Sequence, residues 1–209
     1  MKAVYKQLVD KSVAAALAAI EVYNKPDFRY REESFAILLV NAWELLLKAK
    51  ILKDSKNRLT SLYIHFGKNN RNIKRSRTGN PLTIELFGAM QKLALDPVVT
   101  ENLSTLVDIR DTAVHFYNED GVRYVVFTLG VAALRNYQHL AKEWFNKNLC
   151  SYHFYILPLG FSHSFQTFRF MDVDSTPTAV ANLLKGVGAA QEKSKTEGPF
   201  SLLAKSRRN

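Results

Sequence analysis

The sequence is most restrictive in what it lacks. One cysteine, Cys150, stands among 209 residues, so no internal disulfide can form, and a reducing cytoplasm is the expected setting. No apolar run is long enough to span a bilayer. The longest, FAILLVNAWELLLKAKIL (35–52), is broken by Asn41, Glu44, Lys48 and Lys50, so no membrane partner is expected. The opening MKAVYKQLVDK repeats charge every few positions and offers no apolar stretch of the secretory kind. Nine glycines form no phosphate-cradling loop of the Walker or Rossmann type. No internal repeat is present.

Acidic residues are also scarce. Asp plus Glu number 19 against 29 Lys plus Arg, a formal net charge of +10. Such an excess points to a polyanionic partner, nucleic acid above all, or to a basic protein kept in solution by its charge. The hydrophobic share of 47% and charged share of 23% are those of a globular chain, and the length suffices for a real core.

Periodicity predicts an all-α chain. Residues 3–24 read as an alanine-rich helix with Leu8, Val13, Leu17 and Ile20 near one face, ended by Asn24 and Pro26. Residues 30–53 read as a long helix, apolar round most of its circumference and therefore central. Along one side of it run Ser34, Asn41, Glu44 and Lys48, either as a wet edge with an ordinary i,i+4 pair or as a polar seam facing a cleft or a second subunit. The segment 54–80 breaks the pattern. Five basic and no acidic residues fall between Lys68 and Arg77, and the expectation is a flexible basic loop. There Lys68, Arg71, Lys74, Arg75 and Arg77 suit phosphate contacts or simple solvation.

Helical pattern resumes over 82–95 with Ile84, Phe87 and Met90. It restarts at "LDPVV", with Asp96 as N-cap and Pro97 at the first helical position. That helix is expected to reach the turn NEDG at 118–121. A last long helix then spans 122–147, with Phe127, Val131, Leu134, Ala141 and Trp144 on one side. The result is a bundle of four or five helices over 1–147. Residues 148–209 read as an extension: an aromatic, hairpin-like stretch at 152–170, a weak helix opening at Pro177, and a polar, basic, disordered tail. The aromatics of 152–170 fit packing better than base stacking.

The chemistry-bearing stretch is IRDTAVHFYNED, 109–120. At about 100° per residue, Arg110 and His115 sit roughly 140° apart. Asp111 lies one turn under His115, Asn118 lies a turn beyond, and Tyr117 returns to the direction of Arg110. Ile109, Ala113 and Phe116 take the other side, facing the core. This polar arc fits a plain solvated face, with Arg110 and Asp111 in surface ion pairs, as well as it fits a site. The Arg-x4-His spacing alone discriminates poorly in so basic a chain. His153, His163, Asp172 and Asp174 match no standard metal-ligand spacing, and His65 and His139 stand alone, so neither metal nor cofactor is expected.

The motif RDTAVHFY resembles the Arg-x4-His-x-Tyr variant of the HEPN superfamily (higher eukaryotes and prokaryotes nucleotide-binding). The stretch KPDFRYREESFAILLVNAWELLLKAKIL resembles a bacterial branch catalogued as domain of unknown function thirty-six forty-four. The resemblance covers about 1–147. It implies a helical domain that pairs as a homodimer, with Arg110 and His115 as the catalytic pair and Asp111 as the polar neighbour. Tyr117 matches a tyrosine that some partner antitoxins modify. Many such proteins are metal-independent ribonucleases of phage defence or toxin–antitoxin systems, and others are inactive binding modules. RNA supplies its own nucleophile, the 2′-hydroxyl, so a positioned imidazole and a guanidinium are the residue types that cleavage needs.

Overall fold

The computed structural model describes residues 2–25, 27–67, 72–113 and 120–152. Five α-helices stand among them: α1 (Val4–Asn24), α2 (Arg31–Asp54), α3 (Leu86–Lys92), α4 (Pro97–Ala113) and α5 (Asp120–Phe145). A two-stranded antiparallel sheet joins β1 (His65–Phe66) to β2 (Asn72–Ile73). The all-α bundle is therefore as the periodicity predicts. The expected hairpin at 152–170, the helix after Pro177 and the tail lie outside the described residues, apart from Tyr152.

α2 is the hub. Phe35, Ala36, Leu39, Val40, Ala42, Trp43, Leu46, Leu47, Ala49, Ile51 and Leu52 are all buried, which occupies most of the circumference, and α1, α3, α4 and α5 each pack on it. Its direction sets the register of the rest. Phe35 abuts Gly130, Trp43 meets Tyr137 edge-on at 5.6 Å, and Lys53 donates to the Trp144 carbonyl. α5 thus runs parallel to α2. α1 runs antiparallel, with Tyr23 against Phe35 at 4.9 Å, Ser12 bonded to the Ala42 carbonyl at 2.6 Å and the Tyr5 amide bonded to Asn57 at 3.1 Å.

Two expected faces are corrected. α1 buries Val9, Ser12, Val13, Ala16 and Ala19, while Leu8, Leu17 and Ile20 are only partly covered. Small side chains let α1 approach α2 closely enough for a hydroxyl to reach a backbone carbonyl, and that contact outweighs burying the largest residues. α5 turns Val126, Leu129, Ala133, Tyr137, Leu140 and Ala141 inward. Phe127 is left exposed and stacked on Tyr23 at 6.1 Å. α5 also begins at Asp120, so Asp120 and Gly121 belong to a helix rather than to the expected turn. α3 is shorter than 82–95, and its Phe87 lies at the surface.

The segment 54–80 is not a plain flexible loop. A 3-10 turn at Leu59–Leu62 puts Leu62 into the core. β1 and β2 then pair, and further bridges link Tyr63 to Thr83 and Arg75 to Pro81. Backbone bonds from Lys74 to Ile64, Ile64 to Leu82 and Leu82 to Lys74 knit three short extended pieces into one arm. Gly79 closes its tip with φ of +82°, a conformation that glycine adopts without strain. Beyond α5 the chain stays on the bundle: Leu149 is buried and its amide bonds to Gln138 at 2.7 Å.

Candidate functional site

α4 carries Arg110 to the end of the bundle. The helix starts as its sequence dictates, with the Asp96 carboxylate accepting from the Val98 amide at 2.8 Å and Pro97 in the first position. Val99, Leu103, Leu106 and Val107 seat it in the core. The Asn102 side chain donates to the Leu129 carbonyl at 3.2 Å and fixes α4 against α5. Arg110 follows eight residues later, about 12 Å along the axis. That displacement carries it past the level of Phe35 toward the start of α2.

There Arg110 is one-third exposed and donates from Nε to Asp111 Oδ1 at 2.9 Å. The bond uses Nε, so the two terminal amino groups of the guanidinium are not spent on it. Asp108, one turn before Asp111, was not singled out by sequence. Partial burial, and then the Asp111 charge, raise its carboxyl above the ordinary value. His115, Tyr117 and Asn118 lie outside the described residues, as do the side chains of Ile109 and Ala113.

Two further carboxylates share this end of the bundle and were likewise missed. Glu32 and Glu33 open α2 and are almost wholly buried. Oε2 of Glu33 has no hydrogen-bond partner among the described residues. An acidic first turn suits the positive end of the helix and is legible as "REE" in the sequence. Burial of both acids is not.

The stripe on α2 divides. Asn41 is exposed and Ser34 half-buried. Glu44 and Lys48 pair at 2.6 Å, and Lys48 also donates to Thr83 at 3.0 Å, which leaves its side chain only 13% exposed. The arm therefore roofs the far end of the stripe. On that arm Lys74, Arg75 and Arg77 are exposed, and Arg75 is braced on the Gly79 carbonyl at 2.8 Å. Lys68 and Arg71 lie outside the described residues. Lys48 sits thirteen residues beyond Phe35, about 20 Å. Within one chain, Arg110 and the basic arm thus stand on the order of 30 Å apart along α2. The structure brings Arg110 and Asp111 together, and Glu44 and Lys48; it does not bring the arm to Arg110.

A family model described as Domain of unknown function (DUF3644) matches residues 7–194. The chain belongs to the DUF3644 family. No curated protein and no solved structure matches it. The DUF3644 match begins within the first turn of α1, takes in the other four helices and continues beyond them. No helix among the described residues is long and apolar enough to cross a membrane. No group of three or more His, Cys, Asp or Glu side chains among them is placed to hold a metal ion. His65 lies 3.4 Å from the Thr60 carbonyl and His139 lies 3.6 Å from Glu143. His153, His163, Asp172 and Asp174 fall outside the described residues.

Proposed function

We propose that this protein is a cytoplasmic, metal-independent RNA endonuclease that works as a homodimer, with Arg110 and His115 as its catalytic pair. The observation that carries the reading is the state of Arg110. Its guanidinium is one-third exposed and steadied through Nε by Asp111, and among the described residues both terminal amino groups are left for a phosphate. The HEPN resemblance of RDTAVHFY and the net charge of +10 support the same conclusion.

In this reading His115 takes the proton of the 2′-hydroxyl, and the 2′-oxygen attacks the adjacent phosphorus. Arg110 neutralises the charge that builds on the non-bridging oxygens. The 5′-oxygen leaves with a proton returned by an imidazolium, giving a 2′,3′-cyclic phosphate and a 5′-hydroxyl. The helical spacing expected of residues 109–120 sets the two residues roughly 140° apart, so a second copy supplies the facing partner. Asp111 positions Arg110, and Tyr117 and Asn118 support the pair; Asn41, Glu44 and Lys48 lie farther along α2 toward the arm and stand apart from it within one chain. A phage-defence or toxin–antitoxin role, with an antitoxin or defence partner protein, follows the same resemblance.

A second reading rests on the basic arm. Exposed Lys74, Arg75 and Arg77 on a knitted hairpin, remote from Arg110 in the same chain, suit a catalytically silent module that binds RNA by its backbone. Purified protein with total RNA in EDTA separates the two. Fragments ending in 2′,3′-cyclic phosphate support the nuclease; retention of intact RNA supports the module.

A further inference from the structure

The end of the bundle away from Arg110 holds a cavity of about 570 Å³ between the start of α1, the last turn of α5 and Lys53 of α2. Its walls combine rings with amines. Tyr5 and Phe145 stack with centroids 6.4 Å apart and planes 26° from parallel, and Trp144 meets Phe145 edge-on at 6.5 Å. Four lysines line the same space, Lys2, Lys6, Lys53 and Lys147, against two acids, Asp10 and Glu143.

The acids do not balance the amines. Lys2 and Lys147 share the one carboxylate of Asp10. Glu143 stands 3.6 Å from His139 on its own helix. Lys53 has a main-chain carbonyl and lies 5.2 Å over the Phe145 ring. The Lys6 ammonium has no hydrogen bond or ion pair among the described residues. A cavity with surplus positive charge beside flat apolar walls fits a ligand that is both planar and anionic. A lipid tail would leave the amines unanswered, and inorganic phosphate would leave the rings unused.

We propose that this cavity binds an unpaired nucleotide, its base on the Tyr5, Trp144 and Phe145 rings and its phosphate on Lys6 and Lys53. Base stacking on aromatic side chains tolerates any base, lysine is an established phosphate ligand, and the volume is that of small-ligand sites. The nucleotide is either free or part of a single strand. The proposal does not depend on Arg110 being catalytic.

Tryptophan emission of the full chain tests it. Of two tryptophans, Trp43 is wholly buried in the core, so quenching reports Trp144. AMP or a short 2′-O-methyl oligonucleotide, which cannot be cleaved, is expected to quench saturably. Adenosine and inorganic phosphate should each bind roughly tenfold or more weakly than AMP. Tighter binding of AMP marks a free nucleotide; tighter binding of the oligonucleotide marks a strand. Lys6→Glu, at an exposed and unpaired position, should weaken binding roughly tenfold or more with circular dichroism unchanged, while Arg110→Ala leaves it intact. Absence of saturable quenching by both probes, indifference to Lys6→Glu, or loss in Arg110→Ala would overturn the proposal.

Discussion

Arg110 is bonded through Nε to the residue beside it, Asp111, at 2.9 Å. The pair is exposed, so it contributes little to stability, and its value is in aiming the guanidinium. Arg110→Ala is expected to lower RNA cleavage in EDTA by about a hundredfold or more without shifting the denaturation midpoint. Arg110→Lys should recover little, because a single ammonium cannot hold a phosphate bidentately. Asp111→Asn should weaken cleavage less than either. Full activity in Arg110→Ala would end its assignment as catalytic.

Ser12 and Tyr137 carry a second prediction. The Ser12 hydroxyl donates to the Ala42 carbonyl at 2.6 Å, so at 2.7 Å it accepts from Tyr137. Burial pushes the Tyr137 phenol well above its ordinary value, and the phenol stays neutral. Ser12→Ala strands a buried hydroxyl and should cost about 1–3 kcal/mol, while Tyr137→Phe removes a donor without stranding one and should cost about 1 kcal/mol. Urea unfolding of both variants gives the order.

Gly130 sits where any side chain would strike the ring of Phe35. That ring is buried and already held by Tyr23 at 4.9 Å, so it has no room to yield. Alanine would gain up to about 1 kcal/mol in helix propensity, against about 1–3 kcal/mol for overpacking. The expected balance is a net loss of stability, read from the urea midpoint.

Asp108 sets a pH dependence. Its carboxyl is raised by partial burial and then by Asp111, so the folded chain binds that proton more readily than the unfolded chain does. The charged form therefore costs stability at neutral pH, and the cost is relieved as pH falls through the folded value toward the ordinary 3.8. Asp108→Asn should raise stability at neutral pH by a few tenths of a kcal/mol, discounted for exposure. The advantage should fade on acidification, and a constant advantage at all pH would refute the cause.

What was legible in one sequence follows from which forces are local. The Asp96–Pro97 start of α4 and the Glu44–Lys48 pair are set by neighbours within a turn, and both were readable. The apolar girth of α2 announced a hub because few exposed helices could tolerate it. The inward face of α1 was misread because large side chains were weighted, whereas Ser12, Ala16 and Ala19 gain by letting backbones meet. The arm was read as loop because strands of two residues have no period, and its order comes from bonds between Ile64, Lys74 and Leu82. At the candidate site Arg110 and Asp111 stood out by motif, but Glu32, Glu33 and Asp108 did not, since their burial is a tertiary fact.

The arm supplies the last prediction. Lys74 and Arg77 are exposed and have no side-chain hydrogen bond or ion pair among the described residues, while Arg75 is tied to the Gly79 carbonyl. Each lysine or arginine that neutralises a phosphate releases counterions, so affinity for single-stranded RNA should fall with salt by about 0.7 in logarithmic slope per contact. Replacing Lys74 and Arg77 by alanine should weaken binding uniformly across sequences and reduce the slope by up to about 1.4. Arg75→Ala should reduce the slope by up to about 0.7 and also loosen the turn, exposing Gly79 to faster amide exchange. Binding measured by fluorescence anisotropy across a salt series, in the Arg110→Ala background, isolates the arm from the Arg110 end of the bundle. A slope unchanged in the double variant would mean that the RNA path avoids the arm, and the positive charge there would serve solubility alone.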